Sequence, residues 1–188
     1  MIIDLNERMK EKRENVIFQF RIDIEDAHPP IWRRILFEVN TTFAEVHEIL
    51  QAVFYWENYH LHQFMIDRNT CIADITNEFH EPYFQVELDE KKTTLAEIFR
   101  GVGDKVVYEY DFGDSWRHII KLEKILEKKS YATYPSLIKG RKMAPKEDIG
   151  GIHRWNYICE VMRNPDHVDR KEIIDMYGVF NPDKMFNK

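Results

Sequence analysis

The sequence predicts an antiparallel-rich α+β fold, on three observations: two-residue alternation in several short segments, two helix starts marked by capping boxes, and a C-terminal stretch with helical periodicity. The order reads ββαβ(β)αββ, with helices on one face of the sheet and a helical piece closing the chain. In "VIFQFRIDIED", Val16, Phe18, Phe20, Ile22 and Ile24 share one face, while Gln19, Arg21, Asp23 and Glu25 share the other, so a strand is expected over 16–25. "AHPP" turns the chain because Pro29 and Pro30 fix φ and remove two donors, and "IWRRILFEV" returns as a second strand.

"TTFAEVHEILQAVFYW" then carries a capping-box spacing at Thr42 and Glu45, with Phe43, Val46, Leu50, Val53 and Phe54 at helical intervals. "NYHLHQFMID" resumes alternation, setting His60, His62, Phe64 and Ile66 on one face, and "EPYFQVEL" reads as a further strand. "TTLAEIF" echoes "TTFAEVH", but two helices with the same cap look alike, so it predicts a second short helix ending near Gly101 rather than a repeat. "KVVYEYDF" and "WRHIIKLEKIL" form a hairpin. A three-residue loop, Gly113-Asp114-Ser115, would place Phe112 opposite Trp116, Tyr110 opposite His118 and Asp111 opposite Arg117, giving one apolar and one charged face. After a long basic loop at 127–151, "HRWNYICEVMRN" and "PDHVDRKEIIDMYG" read as helices, the first with Trp155, Ile158 and Met162 inward, the second capped at Asp166 and stopped at Gly178.

A chain of 188 residues suits one domain, expected over 16–188 behind a polar arm at 1–15. Its 44% hydrophobic and 13% aromatic content supplies a core, so disorder is excluded. No apolar run reaches the roughly 18 residues of a membrane span and the start is charged rather than signal-like, so a soluble cytoplasmic protein is expected. Cys71 and Cys159 have no metal-ligand spacing and read as reduced, packed thiols. The net charge of −6 argues against a generally basic nucleic-acid binder, yet residues 121–146 are locally +6 and the remainder −12. Lys128, Lys129, Lys139, Arg141 and Lys142, with Tyr131 and Tyr134, are the candidates for gripping a phosphate backbone and stacking bases.

Chemistry-bearing residues are few. "DFG" at 111–113 lacks every companion of a kinase site, and Ser115 and Cys71 sit on no nucleophile motif. No motif implies a cofactor. His60 and His62 on one strand face could chelate a metal if Asp114 or His118 completed the set. "EDIGG" reads as a loop leading into a helix, and the four tryptophans, Trp116 among them, are expected in or beside the core. The polar and aromatic residues least explained by packing are His60, His62, Asp114, Trp116, His118, Glu147 and Asp148, which predict a binding groove where the three segments meet.

Taken in order, "PPIWRRI", the Trp56-to-"HLHQF" spacing, "YEYDFGDSWRHII", "YP", "PKEDIGG" and "NPDHVDRKEI" resemble the plasmid pRiA4b ORF-3-like family, whose members also occur as passenger proteins of insertion sequences. The resemblance runs from about Val16 to Phe186, and its spacing is similar to that of an archaeal relative from structural-genomics work. It implies a roll-like α+β fold and no established reaction. Many relatives carry two cysteines where this chain has Leu137 and Ala144, so a metal or redox role of that pair does not carry over. Two functions are therefore expected from the sequence: a non-enzymatic module binding a protein or nucleic acid through the groove, or a metal-dependent phosphoester hydrolase using His60, His62, Asp114 and His118.

Overall fold

Alternation becomes pairing in the computed structural model, which describes residues 15–184. The expected polar arm lies outside those residues except for Asn15. Strands β1 (Val16–Ile24), β2 (Trp32–Glu38), β3 (His62–Met65), β4 (Thr70–Ala73), β5 (Val86–Asp89), β6 (Lys105–Tyr110), β7 (Trp116–Glu127) and β8 (Ser136–Arg141) form one sheet. Its order is β5-β4-β3-β6-β7-β1-β2-β8, antiparallel throughout except between β4 and β5. Helices α1 (Phe43–Phe54), α2 (Leu95–Ile98), α3 (Gly151–Arg163) and α4 (Arg170–Tyr177) complete the α+β architecture, the last two as the C-terminal helical piece.

The apolar face of β1 is the middle of the core: Phe18, Phe20, Ile22 and Ile24 are all buried. Each such side chain contributes about 1.5–3 kcal/mol relative to exposure. Helix α1 lays Phe43 on Phe64, His47 on Tyr108 and Phe54 on His118, and Trp155, Ile158 and Val161 of α3 join the same cluster. The opposite face is ionic. Glu123 receives Arg34 Nε and Nη2 at 2.6 and 2.8 Å and Gln19 at 2.9 Å, while the Arg21 and Arg34 guanidinium groups lie 4.5 and 5.2 Å from the Trp32 ring. All four tryptophans are buried, and both cysteines are free, buried thiols.

The two similar helix starts are joined. Thr42 and Thr94 form an antiparallel bridge, with Phe43 N donating to Thr93 O (3.0 Å) and Leu95 N to Thr41 O (2.9 Å). Each threonine completes its own capping box with Glu45 or Glu97. The echo is thus local symmetry about a shared helix start.

Four expectations change. The 106–122 hairpin pairs Tyr110 with Trp116, Tyr108 with His118 and Glu109 with Arg117, two residues out of the expected register. A shift of two preserves every face, so the apolar side holds, but the loop is 111–115 rather than 113–115. It is wider because Asp111 and Ser115 adopt positive φ (57° and 50°), closing on a Ser115 N to Asp111 O bond of 2.6 Å. Phe112 is consequently half-exposed, and Arg117 turns to Glu25 (2.7 Å) instead of Asp111. Strand β4 was not legible: "TCIA" is four residues long, with Cys71, Ile72 and Ala73 all buried, and shows no alternation. Strand β8 interrupts the expected loop at 127–151 because it is an edge strand held to β2 by backbone pairing, with Ile138, Lys139 and Arg141 exposed. The closing helix begins at Arg170 with Asp169, not Asp166, as its N-cap; Gly178 ends it as expected.

Candidate functional site

The 142–150 loop is bolted across the end of the sheet. Trp56 Nε1 donates to Pro145 O (3.0 Å), Ile149 is buried, and Glu147 receives the Tyr110 hydroxyl (2.5 Å) through one oxygen and Glu57 N (2.7 Å) through the other. Burial, reinforced by Glu147, pushes the Tyr110 hydroxyl well above its ordinary pKa, so it remains a donor. On the far side Asp114 accepts from Gly150 N (3.0 Å), and a side chain at Gly151 would bring a Cβ within 2.5 Å of Asp114 O. Only glycine permits that approach, which accounts for "EDIGG" opposite "DFGDS".

This clamp leaves Asp148 exposed and aimed at the 60 segment. His60 Nε2 lies 3.1 Å from Asp148 Oδ1 and 3.7 Å from Asp111 Oδ2. Asp111 is buried, 8% exposed, and its other oxygen accepts from Gly113 N (3.0 Å) and Asp114 N (3.4 Å). One ligand atom from each of His60, Asp111 and Asp148 lies within 4.8 Å of the other two.

His62 points elsewhere. Its ring stacks on His47 of α1 (centroids 3.5 Å, planes 4° apart), and its Nε2 meets Glu90 Oε2 at 2.7 Å. Behind the stack runs a closed ring of hydrogen bonds: His47 Nε2 to Asn58 Oδ1 (2.8 Å), the Tyr108 hydroxyl to His47 Nδ1 (2.8 Å), Gln51 Nε2 to Tyr108 (3.0 Å), and Asn58 N back to Gln51 Oε1 (3.1 Å). Asn58 Oδ1 can only accept, so His47 carries its proton on Nε2. Burial, then the neighbouring His62, depress His47 to a pKa of about 3, and it is neutral.

The stack forms part of the wall of a cavity of about 1000 Å³ between α1, β3 and the 74–85 connection. Glu45, Glu48, Asp74, Glu81, Glu87 and Glu90 line it against one cation, Lys91. Phe79, Tyr83, Tyr59 and Phe112 bring exposed aromatic surface to it.

Compared with known proteins, the chain matches the model of the plasmid pRiA4b ORF-3-like protein family over residues 16–188. The chain belongs to that family. It is 27% identical to the uncharacterized protein y4hQ of Sinorhizobium fredii over 164 residues, 86% of this chain and 81% of that protein. It is also similar to a solved structure, the protein of unknown function MM3350 from Methanosarcina mazei Go1, with a TM-score of 0.78 and 31% identity over 93% of this chain and 96% of that one.

In this plasmid pRiA4b ORF-3-like chain the three segments expected to meet do meet, but their residues divide. His60 and Asp148 come together at the rim; His62 faces the cavity; Asp114 and Glu147 are spent as bolts. Trp116 and His118 are fully buried and line no surface. His118 contacts Phe54, Trp56 and Tyr108, shares an Nδ1 bond with Trp116 O (3.1 Å), and is pushed by burial to a pKa of about 3. The set His60, His62, Asp114 and His118 therefore does not converge, because each member bonds to a different partner. Asp111, assigned from sequence to Arg117, takes the place at His60 instead. His47, Glu90 and Tyr110 were not singled out; nothing in their spacing distinguishes them from core residues.

The basic segment is also partly neutralised. Lys142 is buried with Nζ on Asp183 (2.9 Å), so it cannot reach a phosphate backbone, and Lys128 pairs with Glu38 (2.9 Å). Lys129 lies over Tyr131 (5.8 Å), while Lys139 and Arg141 are exposed on the β8 edge. Leu137 and Ala144 pack against the core. Among the described residues no helix is long and apolar enough to cross a membrane.

Proposed function

We propose that the protein is a non-enzymatic binding module whose cavity receives a cationic segment of a partner polypeptide. One observation carries this reading: six carboxylates and several exposed aromatic rings line a space of about 1000 Å³ with a single lysine among them. Such a lining attracts lysine or arginine by charge and by cation–π contact, whereas a phosphate backbone meets repulsion there. Of the two partner classes expected from sequence, the protein partner is the better supported.

Peptide display against the immobilised full chain tests the reading. Selected sequences should be enriched in Lys and Arg, and binding should fall at least tenfold in the double variant Glu48→Lys, Glu81→Lys. Selection without basic enrichment would overturn it. So would binding of a single-stranded oligonucleotide at low salt that is lost on Lys139→Glu, Arg141→Glu, since that result moves function to the β8 edge.

A further inference from the structure

We propose that His60 Nε2, Asp111 Oδ2 and Asp148 Oδ1 form a site for one divalent transition cation of zinc type at the rim of the cavity. The ligands come from three parts of the chain: the segment before β3, the start of the 111–115 loop after β6, and the bolted 142–150 loop. The two nitrogen–oxygen separations, 3.1 and 3.7 Å, bracket the edge of about 3.4 Å in a tetrahedron with bonds of about 2.1 Å. Three protein ligands leave a fourth position open.

Asp111 is the telling residue. It is 8% exposed, both of its hydrogen bonds fall on Oδ1, and Oδ2 makes none among the described residues, the His60 ring standing at 3.7 Å. A nearly buried carboxylate oxygen held toward an imidazole nitrogen, just beyond hydrogen-bond reach, is what a cation between them would use. Gly113 N and Asp114 N orient it from behind, as outer partners orient metal-binding carboxylates. The opposing ligand is placed by the bolts on Glu147 and Gly150 that flank Asp148. One imidazole and two carboxylates suit zinc or manganese better than magnesium, which keeps water and oxygen ligands.

The test is calorimetric titration of tag-free, chelator-treated full-length protein with zinc, manganese and magnesium chlorides at pH 7. One zinc per chain is expected, bound more tightly than magnesium. Asp148→Ala, at an exposed position, and His60→Ala should each weaken zinc at least tenfold, with circular dichroism unchanged. His28→Ala, outside the cluster, should leave it intact. Absence of a saturable one-to-one zinc isotherm, or zinc binding indifferent to both variants, overturns the site.

Discussion

Lowering the pH from 7 to 5 should destabilise this protein by about 4 kcal/mol through two buried histidines. His47 and His118 are pushed to pKa values of about 3, His47 by burial and by its neighbour His62, His118 by burial among aromatic rings. An unfolded histidine titrates near 6.5, so between pH 6.5 and about 3 the unfolded chain holds two protons that the folded chain refuses. Stability is complete above pH 6.5 and falls with acid at about 1.4 kcal/mol per pH unit for each ring. At pH 5 that amounts to about 2 kcal/mol apiece, a large share of the roughly 5–15 kcal/mol available to a domain. Carboxylates held low do not confuse this window: Asp74, lowered to about 2 chiefly by the Thr76 hydroxyl, and Asp183, lowered to about 2 by Arg163 and Lys142, lose their advantage only below about pH 4. Urea unfolding at equal ionic strength should show the midpoint dropping by about 2 M between pH 7 and pH 5 for a slope of about 2 kcal/mol per molar. His47→Gln and His118→Asn should each halve that drop, whatever their stability at pH 7. Equal midpoints at the two pH values, or a full drop surviving in the double variant, would refute the reasoning.

Three further outcomes follow from the same geometry. Gly151→Ala should destabilise by about 2 kcal/mol in urea, because its Cβ would lie 2.5 Å from Asp114 O at a φ of 75°. Tyr110→Phe should lose about 1–2 kcal/mol and speed amide exchange selectively at 146–149, since the hydroxyl bridges Glu147 and Tyr59 N; unchanged exchange there would remove its role as a bolt. Burial raises the thiols of Cys71 and Cys159 to about 11, so a disulfide-exchange reagent at pH 8 should modify neither in the native protein and both in denaturant.

Where a segment states its own period, the sequence was sufficient: β1 keeps Phe18, Phe20, Ile22 and Ile24 on one buried face, and α1 carries both its cap and its stripe. Elements defined by neighbours were hidden. β4 is too short to show a period, and β8 exists through its pairing with β2 rather than through its side chains. The hairpin register turned on Asp111 and Ser115 adopting positive φ, which no glycine announced. The candidate site shows the same division. Polar residues at 60, 114 and 147–148 lie on three segments that the fold brings together, but which carboxylate is a bolt and which faces His60 depends on directions that arise only when the segments meet.

The bridge between Thr42 and Thr94 bears on how the cavity receives a partner. Ala44 N is bonded to Glu90 O and Ala96 N to Val39 O, so both walls that carry His47 and Glu90 are anchored to a common seam. Helix α1 has no independent swing. Recognition then resembles docking on a preformed receptor rather than closure of a jaw, and a partner's affinity depends on how well its own segment is ordered in advance.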